Sequence, residues 1–304
     1  MENIITHSYE KIVTVNGPIQ LNYDTFGKPE DPAILLIMGL AVQMILWKED
    51  LCQALASKGY YVIRFDNRDV GLSTKLDSLK IPNVMGLIAE IQQGKRVSVP
   101  YKLIDMAKDT IGLLDALHIE SAHIVGASMG GMIAQTIAIN FPNRVKTLTS
   151  LFSSTGNPNL PPATPEAMAV LLTPTPTERE RYIERSVKDW AILQGPKYPL
   201  DVNYIKERSA REFERGFYPA GSARQYVAIL ASGSRKEALK NINIPTLVIH
   251  GDADPLIPVE AGRDTAEAIS GAELLIIEGM GHSIPDEVSP QIINAIVKHT
   301  KKNL

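Results

Sequence analysis

The chain is short of cysteine, short of aromatics and nearly balanced in charge. Cys52 is the one cysteine among 304 residues, so no intrachain disulfide can form. It lies in Leu51-Cys52-Gln53-Ala54-Leu55, a helical pattern, and reads as a small buried hydrophobe. Aromatics make up 6% of the chain, and the formal net charge is -3. No excess of either sign points to nucleic acid or an anionic membrane surface. No apolar run reaches membrane-spanning length. Met1-Glu2-Asn3-Ile4-Ile5-Thr6-His7 lacks a basic stretch followed by an apolar one, so no signal peptide is visible and a cytoplasmic location is expected. There is no G-x-x-x-x-G-K-[ST], no G-x-G-x-x-G and no His/Cys cluster at metal spacing, so neither cofactor nor metal is expected.

What is present is an alternation of strand and helix patterns. Ile12–Val15 and Ile19–Tyr23 flank Asn16-Gly17-Pro18 and read as a hairpin of two edge strands. Ala33-Ile34-Leu35-Leu36-Ile37-Met38 is a continuous apolar run, expected to be a strand covered on both faces. A helix over 44–58, a strand over 60–65, an irregular excursion over 76–100 with one short helix, and an amphipathic helix over 102–117 follow. Then come the strands Ala122–Val125 and Val145–Leu151 around a helix over 132–139. Prolines 158, 161, 162, 165, 174 and 176 break the pattern after residue 152, and only helical stretches (165–172, 178–193 and 201–215) follow. A helix from 222 to 239 leads back to strands Pro245–His250 and Leu274–Ile277, a helix over 259–269 between them and a last helix over 287–300. This order predicts a mostly parallel sheet with helices on both faces, formed by residues 1–152 and 222–304. Residues 153–221 are expected as a helical insertion over the strand ends. Its residues Tyr182, Val187 and Trp190 share a helix face, either the insertion's own packing face or one with an edge toward the cleft.

The chemistry concentrates in Gly126-Ala127-Ser128-Met129-Gly130-Gly131. A strand precedes it and a helix follows it, which is the context of a G-x-S-x-G nucleophile elbow. Such a turn lifts the serine hydroxyl clear of the sheet and puts a helix N-terminus behind it. A serine hydroxyl is a weak nucleophile and needs a base oriented by a third group. Of six histidines only His282 sits on a loop after the last strand, in Gly279-Met280-Gly281-His282. The acid is sought in His250-Gly251-Asp252-Ala253-Asp254-Pro255, where Asp254 is preferred and Asp252 could cap the turn. His250 and His123 read as structural, and His7, His118 and His299 as peripheral. Oxyanion donors are expected from the backbone N–H groups of Met129 and Leu40. Asp66-Asn67-Arg68-Asp69 reads as a network holding a loop.

These segments resemble the α/β-hydrolase superfamily over essentially the whole length. Met38-Gly39-Leu40, with Phe65-Asp66-Asn67-Arg68-Asp69-Val70-Gly71-Leu72-Ser73, resembles a branch of capped bacterial esterases that includes aclacinomycin methylesterases and metal-free haloperoxidase-like enzymes. The resemblance implies an α/β-hydrolase fold with a helical cap, and a Ser128–His282–Asp254 carboxylesterase acting on a small-molecule ester without a cofactor. Met38 departs from the family's commoner His-Gly, removing a histidine that usually helps to hold the oxyanion loop. The same triad would serve a carbon–carbon bond hydrolase or a cofactor-free perhydrolase. A binding protein on this fold usually lacks one triad member, and here all three residue types are present. The physiological ester and the oligomeric state are not set by spacing.

Overall fold

In the computed structural model, which describes residues 5–95 and 97–303, an eight-stranded sheet carries the molecule. In chain order the elements begin with β1 (His7–Asn16), β2 (Ile19–Phe26), β3 (Ala33–Ile37), α1 (Glu49–Ala56) and β4 (Tyr61–Phe65). They continue with α2 (Val84–Gln92), α3 (Leu103–Ala116), β5 (Ala122–Ala127), α4 (Met129–Asn140) and β6 (Val145–Leu151). Four helices follow without a strand: α5 (Pro165–Leu172), α6 (Arg179–Leu193), α7 (Val202–Gly216) and α8 (Pro219–Ser232). The chain closes with α9 (Lys236–Leu239), β7 (Thr246–Gly251), α10 (Val259–Ala268), β8 (Glu273–Ile277) and α11 (Ser289–Lys302).

The strand order is β1-β2-β4-β3-β5-β6-β7-β8, antiparallel at β1–β2 and β2–β4 and parallel from β4 onward. The β3 run divides its side chains between two cores. Leu35 and Ile37 pack with residues of α3 and α4 on one face, and Ile34 and Leu36 with residues of α1 and α11 on the other. That two-sided burial is why the run is apolar throughout. The order reverses at β3, which has β4 on one side and β5 on the other. Open α/β sheets bind ligands at such a switch point, off the carboxyl ends of the strands. Ile37 stands opposite Gly126 in the register, so the loops after β3 and β5 emerge side by side there.

Several boundaries differ from the sequence reading. Only β1 of the hairpin is an edge; β2 pairs with β4 as well, and all its residues but Gln20 are buried. The segment 44–58 divides into a 3-10 turn at Met44–Leu46 and α1, which opens after Trp47 and Lys48. The stretch expected as one helix from 222 to 239 starts at Pro219, where proline suits the first turn, and breaks at Gly233, which has a φ of +63°. The 221/222 boundary therefore falls inside α8. Cys52 is fully buried, and burial pushes its thiol up to about 12. His118 is exposed, but His7 and His299 are not peripheral. His7 stacks on Phe26 and meets Asp24 at 3.2 Å, and His299 is buried with Nε2 donating to the Pro245 carbonyl at 3.2 Å. The His7 partners lie across the β1–β2 hairpin, and the His299 partner lies 54 residues earlier, just before β7. Among the described residues no helix is long and apolar enough to cross a membrane.

Candidate active site

Ser128 stands between β5 and α4 with φ +55° and ψ -121°. A non-glycine residue in that region is strained and persists only where its surroundings over-determine it. The surroundings here grip its backbone. Ser128 N–H donates to the Leu151 carbonyl at 2.9 Å, and its own carbonyl accepts from Gly131 N–H at 2.9 Å and the Ser153 hydroxyl at 2.7 Å. The flanking glycines are required by contact. A Cβ on Gly126 would collide with the Gly130 carbonyl, and one on Gly130 with the Ile37 carbonyl. The motif glycines thus let α4 press against the ends of β5 and β3.

The Ser128 hydroxyl lies 2.9 Å from His282 Nε2, and His282 Nδ1 lies 2.7 Å from Asp254 Oδ2. The second oxygen of Asp254 accepts from the N–H groups of Leu256 and Ile257, each at 2.9 Å. Those bonds fix the carboxylate rotamer and leave the other oxygen for the imidazole. Asp252, two residues earlier, is exposed and instead accepts from Gly279 N–H at 2.5 Å, bracing the loop that carries His282. His250 is buried, donates from Nε2 to the Ile257 carbonyl at 2.8 Å, and stands 3.5 Å from Asp254 Oδ2. His123 lies away from this chain of groups: it is buried beside the Thr147 hydroxyl at 2.9 Å, and burial pushes it down to about 4. The His282 ring meets Phe152 edge-on at 4.9 Å, and the His282 N–H donates to the Leu193 carbonyl at the end of α6 at 2.6 Å.

Burial drives the Asp254 carboxyl upward, but the charge and hydrogen bonds of His282 and His250 override it and hold the group well below the usual carboxylate range. The unfolded carboxyl has its ordinary value, about 3.9. The folded value is lower, so the resulting stabilisation is fully present above that range and fades as pH falls toward the folded value. Urea unfolding from pH 7 down to pH 3 is expected to show a declining midpoint, and Asp254→Asn to flatten that decline. An unaltered slope in the variant would count against the Asp254–histidine contacts.

The loop after β3 passes beside the nucleophile. A Cβ on Gly39 would stand 3.2 Å from Ser128 Cβ, and Gly39, Leu40, Ser128, Met129 and His282 all line one cavity. With no histidine at position 38, other groups hold this loop. Asn67 Nδ2 donates to the Met38 carbonyl at 3.0 Å, and Ala41 N–H donates to Gln225 Oε1 at 2.8 Å. Gln225 Nε2 in turn donates to the Arg68 carbonyl at 2.7 Å. Asn67 was legible as part of a loop-holding network. Gln225, on α8, carried no local signal, since its two partners are more than 150 residues away in sequence.

The rest of that network is also resolved. Arg68 pairs with Asp109 of α3 at 2.5 Å, Asp66 with Arg215 at 2.6 Å, and Asp69 with Arg224 at 2.8 Å. The side chains of all three pairs, Arg215 included, are deeply buried, so solvent does little to screen them.

The cavity above Ser128 has a volume of about 1100 Å³. Its floor is the strand ends, and its walls come largely from α5 to α8. Tyr182 packs on Phe213 and Phe217, as a packing face would, yet Tyr182 and Trp190 also line the cavity. Chemically the arrangement is a hydroxyl aligned with an imidazole, the imidazole aligned with a buried carboxylate, and a helix N-terminus behind the hydroxyl. Such a set can move a proton away from an attacking oxygen.

A parallel sheet with a serine at the strand–helix turn of its switch point defines a class of hydrolases. The family model described as the alpha/beta hydrolase fold matches residues 32–287. The chain belongs to that family. It is 28% identical to a rhodomycin D methylesterase of Streptomyces peucetius, over 94% of this chain and 96% of that protein. It is 27% identical to a 3-oxoadipate enol-lactonase of Acinetobacter baylyi, over 93% and 94%. The fold is shared with a meta-cleavage product hydrolase from Pseudomonas fluorescens IP01, with a TM-score of 0.74 at 23% identity over 97% of this chain and 98% of that one. It is also shared with an esterase from Rhodococcus sp. ECU1013, with a TM-score of 0.74 at 17% identity over 98% and 100%.

Proposed function

We propose that the protein is a carboxylic-ester hydrolase that works through an acyl-enzyme on Ser128. The observation that carries this is the continuous run from the Ser128 hydroxyl through His282 to Asp254, opening into a cavity of substrate size. His282 Nε2 takes the hydroxyl proton as Ser128 Oγ attacks the ester carbonyl, and Asp254 holds the Nδ1–H and stabilises the imidazolium. The N–H groups of Met129 and Leu40 receive the oxyanion. His282 returns the proton to the departing alcohol. Water then attacks the acyl group with His282 again as base, and the acid leaves. Residues 153–221 act as a cap whose helices shape the cavity. The methylesterase relatives support the ester as the bond attacked.

The test is hydrolysis of p-nitrophenyl esters from acetate to palmitate. Turnover with an optimum beyond acetate is expected, since a cavity of about 1100 Å³ holds far more than an acetyl group. A folded protein that turns over none of the series, or one with a higher kcat/KM for a vinylogous diketone or for peroxide-dependent bromination, would overturn the reading.

A further inference from the structure

The loop after β3 is held on both sides of Leu40. Before it, Asn67 Nδ2 donates to the Met38 carbonyl at 3.0 Å. After it, Ala41 N–H donates to Gln225 Oε1 at 2.8 Å, and Met44 N–H to Asp66 Oδ1 at 2.8 Å. Gln43 is gripped by the end of α7: its Nε2 donates to the Glu212 carbonyl at 2.6 Å, and its Oε1 accepts from Arg215 Nη1 at 2.9 Å. Leu40 N–H makes no hydrogen bond among the described residues. Its direction is therefore set by the groups that hold its neighbours.

Ala41 carries the strain of this turn. Its φ is +60°, a left-handed conformation that a residue with a Cβ adopts only at a cost. Packing does not hold it there, because Ala41 is exposed and lines the cavity. The bond from its N–H to Gln225 does. Gln225 is fully buried on α8, and its amide has one satisfied orientation. Nε2 donates to the Arg68 carbonyl at 2.7 Å while Oε1 accepts from Ala41. Turned over, the amide would face donor to donor and acceptor to acceptor. The helix beneath it is fixed by the preceding residue, since Arg224 binds Asp69 through Nε at 2.8 Å and Nη2 at 2.9 Å. The bond to Arg68 would suffice to tie α8 to the core. The second bond goes to a strained residue next to the N–H proposed to meet the oxyanion.

We propose that Gln225 is a positioning residue of the oxyanion hole: it holds Ala41 in its strained turn and so aims the Leu40 N–H at the carbonyl oxygen attacked by Ser128. Gln225 itself touches no reacting atom. The oxyanion hole is then complete only while α8 is seated, because one of its donors is set from that helix. A misplacement of about 1 Å in such a donor is enough to cost on the order of 10²-fold in rate. The proposal rests on the ester-hydrolase reading for the role of Leu40.

The test compares the wild-type chain with Gln225→Met, which keeps the side-chain length and loses both bonds. One readout is kcat and KM on the best p-nitrophenyl ester. The other is binding of an alkyl trifluoromethyl ketone and of the methyl ketone with the same chain. The trifluoromethyl ketone adds to the serine: Ser128 Oγ bonds to the carbonyl carbon, the hydroxyl proton passes to His282, and the carbonyl oxygen becomes an oxyanion. The methyl ketone stays unreacted and reports the cavity alone. In the variant kcat is expected to fall about 10- to 100-fold, less than the loss of a whole oxyanion donor. KM and the methyl ketone affinity are expected to stay within about threefold, because ground-state binding is untouched. The trifluoromethyl ketone is expected to lose affinity by the factor that kcat/KM loses. A merely structural role would move both ketones together, since α8 walls the cavity. Gln225→Asn keeps the amide but falls one methylene short of the loop, so the same losses are expected there, and it serves if Gln225→Met fails to fold. Adding Ala41→Gly to either variant is expected to recover at least about threefold in kcat, because glycine holds a positive φ unaided. A trifluoromethyl ketone preference kept by both variants, equal losses of the two ketones, or no recovery with glycine would each overturn the proposal. So would a wild-type chain with no preference for the trifluoromethyl ketone. Failure of the ester-hydrolase reading would show separately, as a wild-type chain that binds the trifluoromethyl ketone but hydrolyses none of the esters; the ketone pair still reads the role of Gln225 there.

Discussion

Ser128→Ala is expected to lower ester turnover at least about 10⁴-fold while leaving the fold intact. The hydroxyl makes its hydrogen bond to His282 Nε2, so the lost interaction lies on the proposed reaction path. What holds the elbow in place is elsewhere. The bonds from Ser128 N–H to Leu151, and to the Ser128 carbonyl from Gly131 and Ser153, all use the Ser128 backbone and survive the change. The strained φ of +55° is equally costly for serine and alanine. Unfolding free energy is therefore expected to move by less than about 1 kcal/mol, the usual range away from packing or pairing defects. Steady-state kinetics and urea unfolding on the same preparation check both halves. Residual turnover within tenfold of wild type would remove Ser128 from the proposed mechanism, and a collapsed unfolding midpoint would make the kinetic loss uninformative.

The second large effect is on stability, at Arg224→Leu. Arg224 is 1% exposed and grips the buried Asp69 carboxylate with two bonds, Nε at 2.8 Å and Nη2 at 2.9 Å. Asp69 also accepts from the Tyr101 hydroxyl and Leu76 N–H, both at 2.8 Å. Removing the arginine strands a carboxylate in the interior. Breaking a buried pair from one side costs about 3–5 kcal/mol, much more than the pair contributes as a whole. Urea unfolding reads the loss. Asp69→Asn in the same chain is expected to recover part of it, because the uncompensated charge is then gone. Asparagine also tolerates the positive φ of +67° at that position. A double variant no better than Arg224→Leu alone would place the cost in lost packing rather than stranded charge. Activity should fall as well, since the next residue, Gln225, ties α8 to the loop that carries Leu40.

Some of this was visible in local sequence. The elbow is legible because its glycines and serine fall together in one short motif, although the contact that requires Gly130 comes from Ile37 of β3. Gly126 and Gly130 flank Ser128 within one turn, and each is forced by backbone a few ångströms away. The β3 run is legible because burial on two faces demands an unbroken apolar segment. Asp254 and His282 stand out because each follows a strand in a loop of turn residues, and the parallel sheet brings those loop ends to one edge. Gln225 was invisible because a glutamine on a helix carries no signal of a bond to residue 41. His299 was misjudged for a similar reason, since its partner Pro245 lies 54 residues earlier, whereas the His7 contacts lie across a hairpin that the sequence did show.

The sequence by itself determined which residue types the site can use and the order of strands and helices. These follow from periodicity, glycine placement and apolar runs, properties of neighbouring residues. Only the tertiary structure decided which side chains from distant segments meet. It set Arg215 on Asp66, Arg224 on Asp69 and Gln225 on the loop after β3. Such contacts depend on where α7 and α8 come to rest over the sheet. That placement sums many weak packing terms from distant segments, and no short stretch of chain encodes it.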